Sequence, residues 1–211
     1  MLKPASPETM KVFLLHGLGA SWKSGLTLAP LQLYLRHVAG FECVERITYP
    51  ADSADFERCL DCVDRKLAEF ADKAAGEPIA VVGHSFGGVV ANNLHRRGWR
   101  IETAIYVGSP LRGARVIDLA ESLLPACVAD LFRKPPYEFL QQKAAEEPPP
   151  HPYWTVSMGW FWTGFDHCVH RDEATLDPTR NVHLPWADHA TIVLNPRFWW
   201  LVRELLQAER V

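Results

Sequence analysis

Residues 79–90 read IAVVGHSFGGVV, and this stretch constrains the fold more than any other part of the chain. Its first half is apolar and β-branched, as in a strand buried on both faces, and a helix-like segment, 86–97, begins directly after Ser85. Gly83 and Gly87 flank Ser85 at two residues' distance, where larger side chains would clash in a tight turn. The stretch therefore predicts a buried strand, a sharp turn that exposes Ser85, and a helix.

Strand-like and helix-like segments alternate along the rest of the chain. The predicted strands are Lys11–Leu15, 43–49, 79–83, Thr103–Val107, Tyr153–Met158 and Asn181–Leu184. The predicted helices are 28–38, 55–75, 86–97, 117–132 and 198–209, the last preceded by Asn195 as a cap and Pro196 in the first turn. This order favours an α/β fold with an open, doubly wound, mostly parallel sheet of about six strands flanked by helices.

Residues 111–152 interrupt the alternation. They contain helix-like segments and then the sequence EEPPPHP at 146–152, which ends any helix before it. We expect a helical insertion on the carboxyl edge of the sheet, and a candidate lid, rather than a second domain. A chain of 211 residues is then a single domain covering residues 1–211.

The charge and the termini exclude several classes of protein. Lys and Arg number 22 against 25 Asp and Glu, so the formal net charge of −3 offers no basic field for nucleic acid or an anionic membrane. The first ten residues are polar and interrupted by proline, unlike a secretory signal, and no apolar run approaches the ~18 residues that cross a bilayer. We therefore expect a soluble, cytoplasmic protein without a transmembrane segment and without a nucleic-acid partner.

The five cysteines are expected to be reduced thiols, because their number is odd and no secretory signal is present. Cys59 and Cys62 have the C-x-x-C spacing of zinc and redox sites. Both fall within 55–75, however, where apolar residues recur every three to four positions, as on the buried face of a helix. No second Cys or His pair at zinc spacing accompanies them, so we interpret them as core thiols.

Ser85 has the position of a nucleophile at the start of a helix, where free N–H groups and the helix dipole favour developing negative charge. Such a serine needs a base, an orienting acid and an oxyanion hole. After the first strand, the glycines on either side of Leu18 allow its backbone N–H to face the same space as that of Phe86. We interpret the neighbouring His16 as a brace for this loop and not as the base.

His189 is the candidate base, because it follows the last strand and shortly precedes the final helix. The other histidines considered lie within elements or earlier in the chain: His37, His95, His151, His167, His170 and His183. Asp166 is the candidate acid, since it follows the fifth strand and can approach the far nitrogen of His189. Asp172 and Asp177, further along the same loop, stay open as alternatives, whereas Asp188 is adjacent to His189 and disfavoured.

These motifs resemble the α/β-hydrolase superfamily, specifically its small lipases and serine esterases, from Lys11 to about residue 206. HGLG at 16–19 resembles the oxyanion loop of the family, and GHSFGG at 83–88 resembles its nucleophile turn. GSPLRG at 108–113 is similar to a segment that follows a strand in lipases. GFDHCV at 164–169 is similar to the acid loop, and 180–189 to the last strand and catalytic loop. The resemblance implies an α/β-hydrolase fold with a Ser85–Asp166–His189 triad.

The residues and the resemblance together predict a serine hydrolase that cleaves small carboxylic esters through an acyl-enzyme, with no metal and no organic cofactor. A thioesterase or an amidase would use the same triad. A non-catalytic binding module on the same fold is the alternative of a different class.

The eight tryptophans divide by position. Four of them fall on loops expected to rim Ser85, where apolar walls would hold an acyl chain: Trp22, Trp160, Trp162 and Trp186. Trp99, Trp199 and Trp200 are expected to pack in the fold, and Trp154 begins a strand. The sequence therefore predicts a substrate with an apolar acyl group.

Overall fold

A computed structural model describes residues 10–18, 26–51, 55–72, 77–115, 149–159, 164–166 and 168–208. Within these ranges six parallel strands form one open sheet. They are β1 (Lys11–Leu15), β2 (Cys43–Ile47), β3 (Ile79–His84), β4 (Thr103–Val107), β5 (Tyr153–Met158) and β6 (Asn181–Leu184). Their order across the sheet is β2-β1-β3-β4-β5-β6, which confirms the predicted fold class.

The register of the central strands brings three loops to one place. Leu15 at the end of β1 pairs with Gly83 of β3, and His84 at the end of β3 pairs with Val107 of β4. Because all the strands are parallel, their carboxyl ends share one edge of the sheet. The loops that follow β1, β3 and β4 therefore start side by side, which is where α/β folds bind ligands.

Five α-helices accompany the strands in the described ranges. They are α1 (Ala29–His37), α2 (Phe56–Asp72), α3 (Phe86–Asn93), α4 (Arg171–Ala174) and α5 (Pro196–Ala208). Side chains of α1 and α5 form one apolar cluster with Val12 and Leu14, whereas those of α2 and α3 form another with Phe13 and Leu15. Consecutive residues of β1 thus point into opposite clusters, which explains why this strand is apolar from Val12 to Leu15.

The ends of β2 and of the helix after Ser85 differ from the prediction. β2 ends at Ile47 and not at residue 49, since the side chain and backbone of Tyr49 contact His16 in the loop after β1. The predicted helix 86–97 ends at Asn93 and continues as a 3₁₀ turn, Leu94–Arg97.

The final helix begins two residues before the predicted start of residue 198. Its first residue is Pro196, and the side chain of Asn195 accepts a hydrogen bond of 2.9 Å from the N–H of Arg197. The pair thus supplies the predicted cap and first turn. The short helix α4 was not predicted, because four residues are too few to show a helical period.

Most of the insertion at 111–152, including the predicted helix 117–132, lies outside the described residues. The insertion, the lid and the single-domain organisation therefore stay predictions. In the part of the chain that the structure describes, no helix is long and apolar enough to span a bilayer.

The C-x-x-C pair lies on α2. Cys59 is fully buried, and its thiol donates to the carbonyl oxygen of Pro50 at 2.9 Å. Cys62 is partly buried against the same apolar cluster. Neither forms a disulfide, and the same holds for Cys43 and Cys168.

Candidate active site

Ser85 forms the turn between β3 and α3. Its φ of 55° and ψ of −125° make it the one non-glycine residue with positive φ in the described ranges. Strain of this kind costs about 1–3 kcal/mol and persists only where the surroundings enforce it. A Cβ on Gly83 would lie 2.6 Å from the backbone of Gly87, and the N–H of Ser85 donates to Val107 at 2.8 Å. Close packing and a bond to β4 thus hold the serine in its strained conformation.

Three side chains from distant parts of the chain meet at this turn. The Nε2 atom of His189 lies 3.0 Å from the Oγ atom of Ser85, and its Nδ1 atom lies 2.8 Å from Oδ2 of Asp166. His189 is 9% exposed and Asp166 only 1%, so their hydrogen bond is shielded from water. A carboxylate there fixes Nδ1 as the protonated nitrogen and leaves Nε2 free to accept a proton from the serine.

The loop that carries Asp166 orients the carboxylate with its own backbone. Oδ1 accepts hydrogen bonds from the N–H groups of Cys168 at 3.0 Å and Val169 at 2.6 Å. The N–H of Asp166 donates to Val169, and that of Arg171 to Gly164. With Oδ1 occupied, Oδ2 is the oxygen that faces His189.

A buried carboxylate anchors this loop to residues 112–115. Glu173 is 3% exposed and accepts hydrogen bonds from the N–H of His170 at 2.6 Å and the N–H of Arg115 at 2.5 Å. Its own carbonyl oxygen accepts from the N–H of Arg112. Glu173 therefore joins the acid loop to residues 112–115, a role that the sequence did not indicate.

The two alternative acids have other partners. Asp172 lies on α4 with its carboxylate 3.4 Å from Nδ1 of His170. Asp177 accepts hydrogen bonds from the N–H and hydroxyl groups of Thr179, which lower the pKa of its carboxyl. The structure thus brings Asp166, and neither of these two, to His189.

The loop after β1 approaches Ser85 and is braced by His16. Nδ1 of His16 donates to the carbonyl of Gly17 at 2.8 Å, while Nε2 faces the N–H of Tyr49. The Tyr49 hydroxyl donates to the carbonyl of His16, and the two rings stack with centroids 4.4 Å apart. Burial lowers the pKa of His16, so the ring stays neutral in this role. A Cβ on Gly17 would lie 3.0 Å from that of Ser85, which places the loop beside the serine.

The two candidate oxyanion donors belong to the segment that follows Ser85 and to the loop after β1. Phe86 is the first residue of α3, so its N–H has no acceptor within the helix. Its buried ring packs edge-on against Phe56, which fixes the start of the helix. Leu18 follows the braced loop and packs against the adjoining apolar cluster. The use of either N–H as an oxyanion donor stays a prediction.

The sequence matches a known protein family over most of its length. A sequence profile described as the alpha/beta hydrolase family matches residues 12–207. The chain belongs to the α/β-hydrolase family. No curated protein matches the sequence.

Solved structures show the same α/β-hydrolase fold at low sequence identity. A Bacillus licheniformis lipase in its mature form is 19% identical, with a TM-score of 0.71 over 98% of this chain and 94% of that one. A metagenomic carboxyl esterase is 13% identical, with a TM-score of 0.68 over 96% and 77%. A phospholipase from Legionella pneumophila is 14% identical, with a TM-score of 0.66 over 96% and 62%. At these identities the likeness establishes the fold alone.

The tryptophans predicted to rim the site of this α/β-hydrolase family member are described only in part. Trp22, Trp160 and Trp162 lie outside the described residues. Trp186 is 70% exposed, on the loop that carries His189. Its contact with a substrate stays a prediction.

The tryptophans expected to pack behave differently from one another. Trp99 and Trp199 are partly buried and donate hydrogen bonds to Asp64 and Val193. The prediction is wrong for Trp200, which is 51% exposed and lies under the guanidinium group of Arg203. Trp200 lies on the outer side of α5. Consecutive residues of a helix point in different directions, so the packing of Trp199 does not extend to Trp200.

The sequence did not predict a role for His84, the residue before Ser85. Nε2 of His84 donates to the carbonyl oxygen of His189 at 2.9 Å, and the two rings lie 5.1 Å apart. Burial, and then the proximity of His189, lower the pKa of His84 to about 4. Position 84 is one of the two variable positions of G-x-S-x-G, so the motif itself gave no signal.

Proposed function

We propose that this α/β-hydrolase family member is a serine hydrolase of carboxylic esters. The observation that carries the proposal is the continuous chain of hydrogen bonds from Ser85 Oγ through His189 to Asp166. This order of nucleophile, base and orienting acid is that of acyl-transfer enzymes, and it recurs on unrelated folds because the chemistry requires it.

In the proposed mechanism, Ser85 Oγ attacks the ester carbonyl while His189 Nε2 takes the hydroxyl proton. The C–O bond formed leaves a negative charge on the carbonyl oxygen, to which the N–H groups of Leu18 and Phe86 donate. Each such donor is worth about 3 kcal/mol. The intermediate expels the alcohol, which takes its proton from His189, and water then cleaves the acyl-serine by the same steps.

The buried Asp166 supports the charge that this mechanism creates. When His189 takes the proton its ring becomes positive, and the carboxylate at 2.8 Å stabilises that charge without itself being protonated. The two backbone N–H groups on Oδ1 hold the carboxylate in place during the cycle.

The exposed ring of Trp186 supports an apolar acyl group as the substrate part near the serine. The negative net charge supports a small neutral ester rather than nucleic acid as the substrate.

A fluorophosphonate probe and a substrate panel test the proposal. The probe should label the wild type and Ser157→Ala, but not Ser85→Ala. Ser157 is the matched control, because its Oγ lies 3.0 Å from Nδ1 of His183 yet its side chain is fully buried. Ser85→Ala should also lower turnover of a short aryl ester at least ~10⁴-fold with the fold intact.

The panel pairs aryl esters of increasing acyl length with a thioester and an anilide. Faster turnover of the thioester or the anilide would identify a thioesterase or an amidase instead. An unlabelled, inactive wild type would favour a binding module on the same fold.

A further inference from the structure

Two consecutive residues contact opposite ends of one histidine. Ser85 Oγ bonds the ring of His189 at Nε2, and the preceding His84 donates to the main-chain carbonyl of the same residue at 2.9 Å. The two bonds join residues more than a hundred positions apart in the chain. They fix the nucleophile and its partner relative to the same strand end.

The loop around His189 has bonds of its own that set its shape. The carboxylate of Asp188 accepts from the N–H groups of Ala190 and Thr191, and its carbonyl accepts from Ile192. These contacts lie within the loop and do not join it to β3. The bond from His84 crosses from β3 to the backbone of His189, the residue whose ring faces Ser85.

We propose that His84 is a positioning residue, whose Nε2–H holds the backbone of His189 so that its ring lies within hydrogen-bonding distance of Ser85. The inference rests on the proposed hydrolase function. It assigns to His84 no contact with substrate and no proton transfer.

The protonation state of His84 fits this role. A carbonyl oxygen only accepts, so Nε2 carries the proton, and the neutral ring has Nδ1 unprotonated. Burial lowers the pKa of His84 to about 4, so the ring stays neutral while His189 becomes charged in the reaction. A charged ring 5.1 Å from that of His189 would oppose the charge that forms there.

A pair of variants separates the hydrogen bond from the packing of the ring. His84→Phe keeps a ring of similar size but has no donor. His84→Gln places an amide N–H the same number of bonds from Cβ as Nε2 of histidine, and so can restore the bond to the His189 carbonyl. We expect His84→Phe to lower kcat by about 10–100-fold with KM within about twofold, as for loss of an interaction that acts on the transition state. His84→Gln should recover most of kcat.

His183→Phe is the matched control, since it also removes a histidine hydrogen bond, to Ser157 on the outer strands. This variant should keep kcat within about twofold of the wild-type value, even if it lowers the unfolding temperature. Equal losses in His84→Phe and His84→Gln would overturn the proposal, because packing and not the hydrogen bond would then matter. An unchanged kcat in a folded His84→Phe variant would also overturn it.

A readout without turnover keeps this test separate from the proposed function. The proton on His189 Nδ1, held against Asp166, should give a low-field NMR signal that is sharp in the wild type and in His84→Gln. In His84→Phe the signal should broaden or disappear. If the wild type proves inactive on every ester, this signal still decides the positioning role, and its persistence in His84→Phe would refute that role.

Discussion

A methyl group on Gly87 would lie 2.6 Å from the carbonyl oxygen of His16. This contact packs the first turn of α3 against the end of β1, so the serine turn and the loop that approaches it share one close backbone contact. A side chain at position 87 must push the two apart.

Gly87→Ala is therefore expected to destabilise the fold by about 1–3 kcal/mol or more and to abolish probe labelling, because backbone atoms cannot move aside as a side chain can. Gly98→Ala is the control, since Gly98 has a φ of 81° but no atom near its missing Cβ. That change should cost about 1–2 kcal/mol from the left-handed backbone alone and leave labelling intact. Urea unfolding and labelling of both variants measure the difference, and full labelling of Gly87→Ala would contradict the prediction.

Asp166→Asn should keep the fold and lower turnover by about 10⁴-fold. The amide oxygen can still accept from Cys168 and Val169, but the NH₂ group would then face Nδ1 of His189 and favour the wrong tautomer. Asp172→Asn makes the same change in the adjacent helix α4. Its turnover should stay within about threefold of the wild-type value. Steady-state turnover of an aryl ester compares the two, and a large loss in Asp172→Asn would identify the wrong acid.

Glu173→Gln should lower the free energy of unfolding by about 1–3 kcal/mol and slow probe labelling. Two backbone N–H groups bond the two carboxylate oxygens, so the amide NH₂ of glutamine must face one of them and leave it unpaired. The exposed Glu102 provides the control, as Glu102→Gln removes the same charge without a buried partner. Equal stability of the two variants in urea would show that the buried carboxylate does not anchor the loop.

The free energy of unfolding should fall as the pH falls from 6.5 toward 4. Burial lowers the pKa values of His84 and His151 to about 4, whereas both rings titrate near 6.5 when unfolded. The unfolded chain thus binds more protons in this window, and each histidine contributes up to about 1.4 kcal/mol per pH unit.

His151→Gln removes one of the two groups and should flatten this dependence by about 1 kcal/mol between pH 7 and pH 5. His37→Gln on the exposed face of α1 is the matched control, because it makes the same substitution at an exposed position. Urea unfolding at pH 7 and at pH 5 measures this pH dependence for each variant. The same pH dependence in His151→Gln and the wild type would contradict the predicted burial effect.

Trp186→Ala should raise KM for long acyl esters by about tenfold, because the indole can cover more than one methylene at about 0.8 kcal/mol each. Acetyl esters should be little affected. Trp200→Ala is the comparison, since Trp200 is 51% exposed but lies on the outer side of α5. A chain-length series of aryl esters makes the measurement, and an equal effect at every length would exclude an acyl-binding role.

The sequence predicted the central sheet and the residues brought together at its edge because both depend on local pattern. Strands such as Lys11–Leu15 and Thr103–Val107 are apolar at nearly every position, and the G-x-S-x-G turn joins one strand to one helix. Chain order then selected His189 and Asp166 from many histidines and aspartates. Short irregular elements such as α4 carry no such period.

The contacts that support the site were not predictable in the same way. His84, Glu173 and Tyr49 bond to backbone groups far away in the chain, at residues 189, 115 and 16. Nothing in the local sequence of a histidine or a glutamate shows which distant carbonyl or N–H it will meet. Such partners are fixed only when the helices and loops pack on the sheet.

The loop of Asp166 owes its shape to bonds between its own neighbours, with Arg171 bonded to Gly164 and Val169 bonded to the carboxylate. The direction of the carboxylate therefore depends on one short run of consecutive residues, which Glu173 anchors to residues 112–115. Segments on either side of this run can gain, lose or exchange residues over evolution while the carboxylate keeps its direction. New substrate preferences can arise on this scaffold by changes in the flanking loops, and libraries for directed evolution are best aimed there.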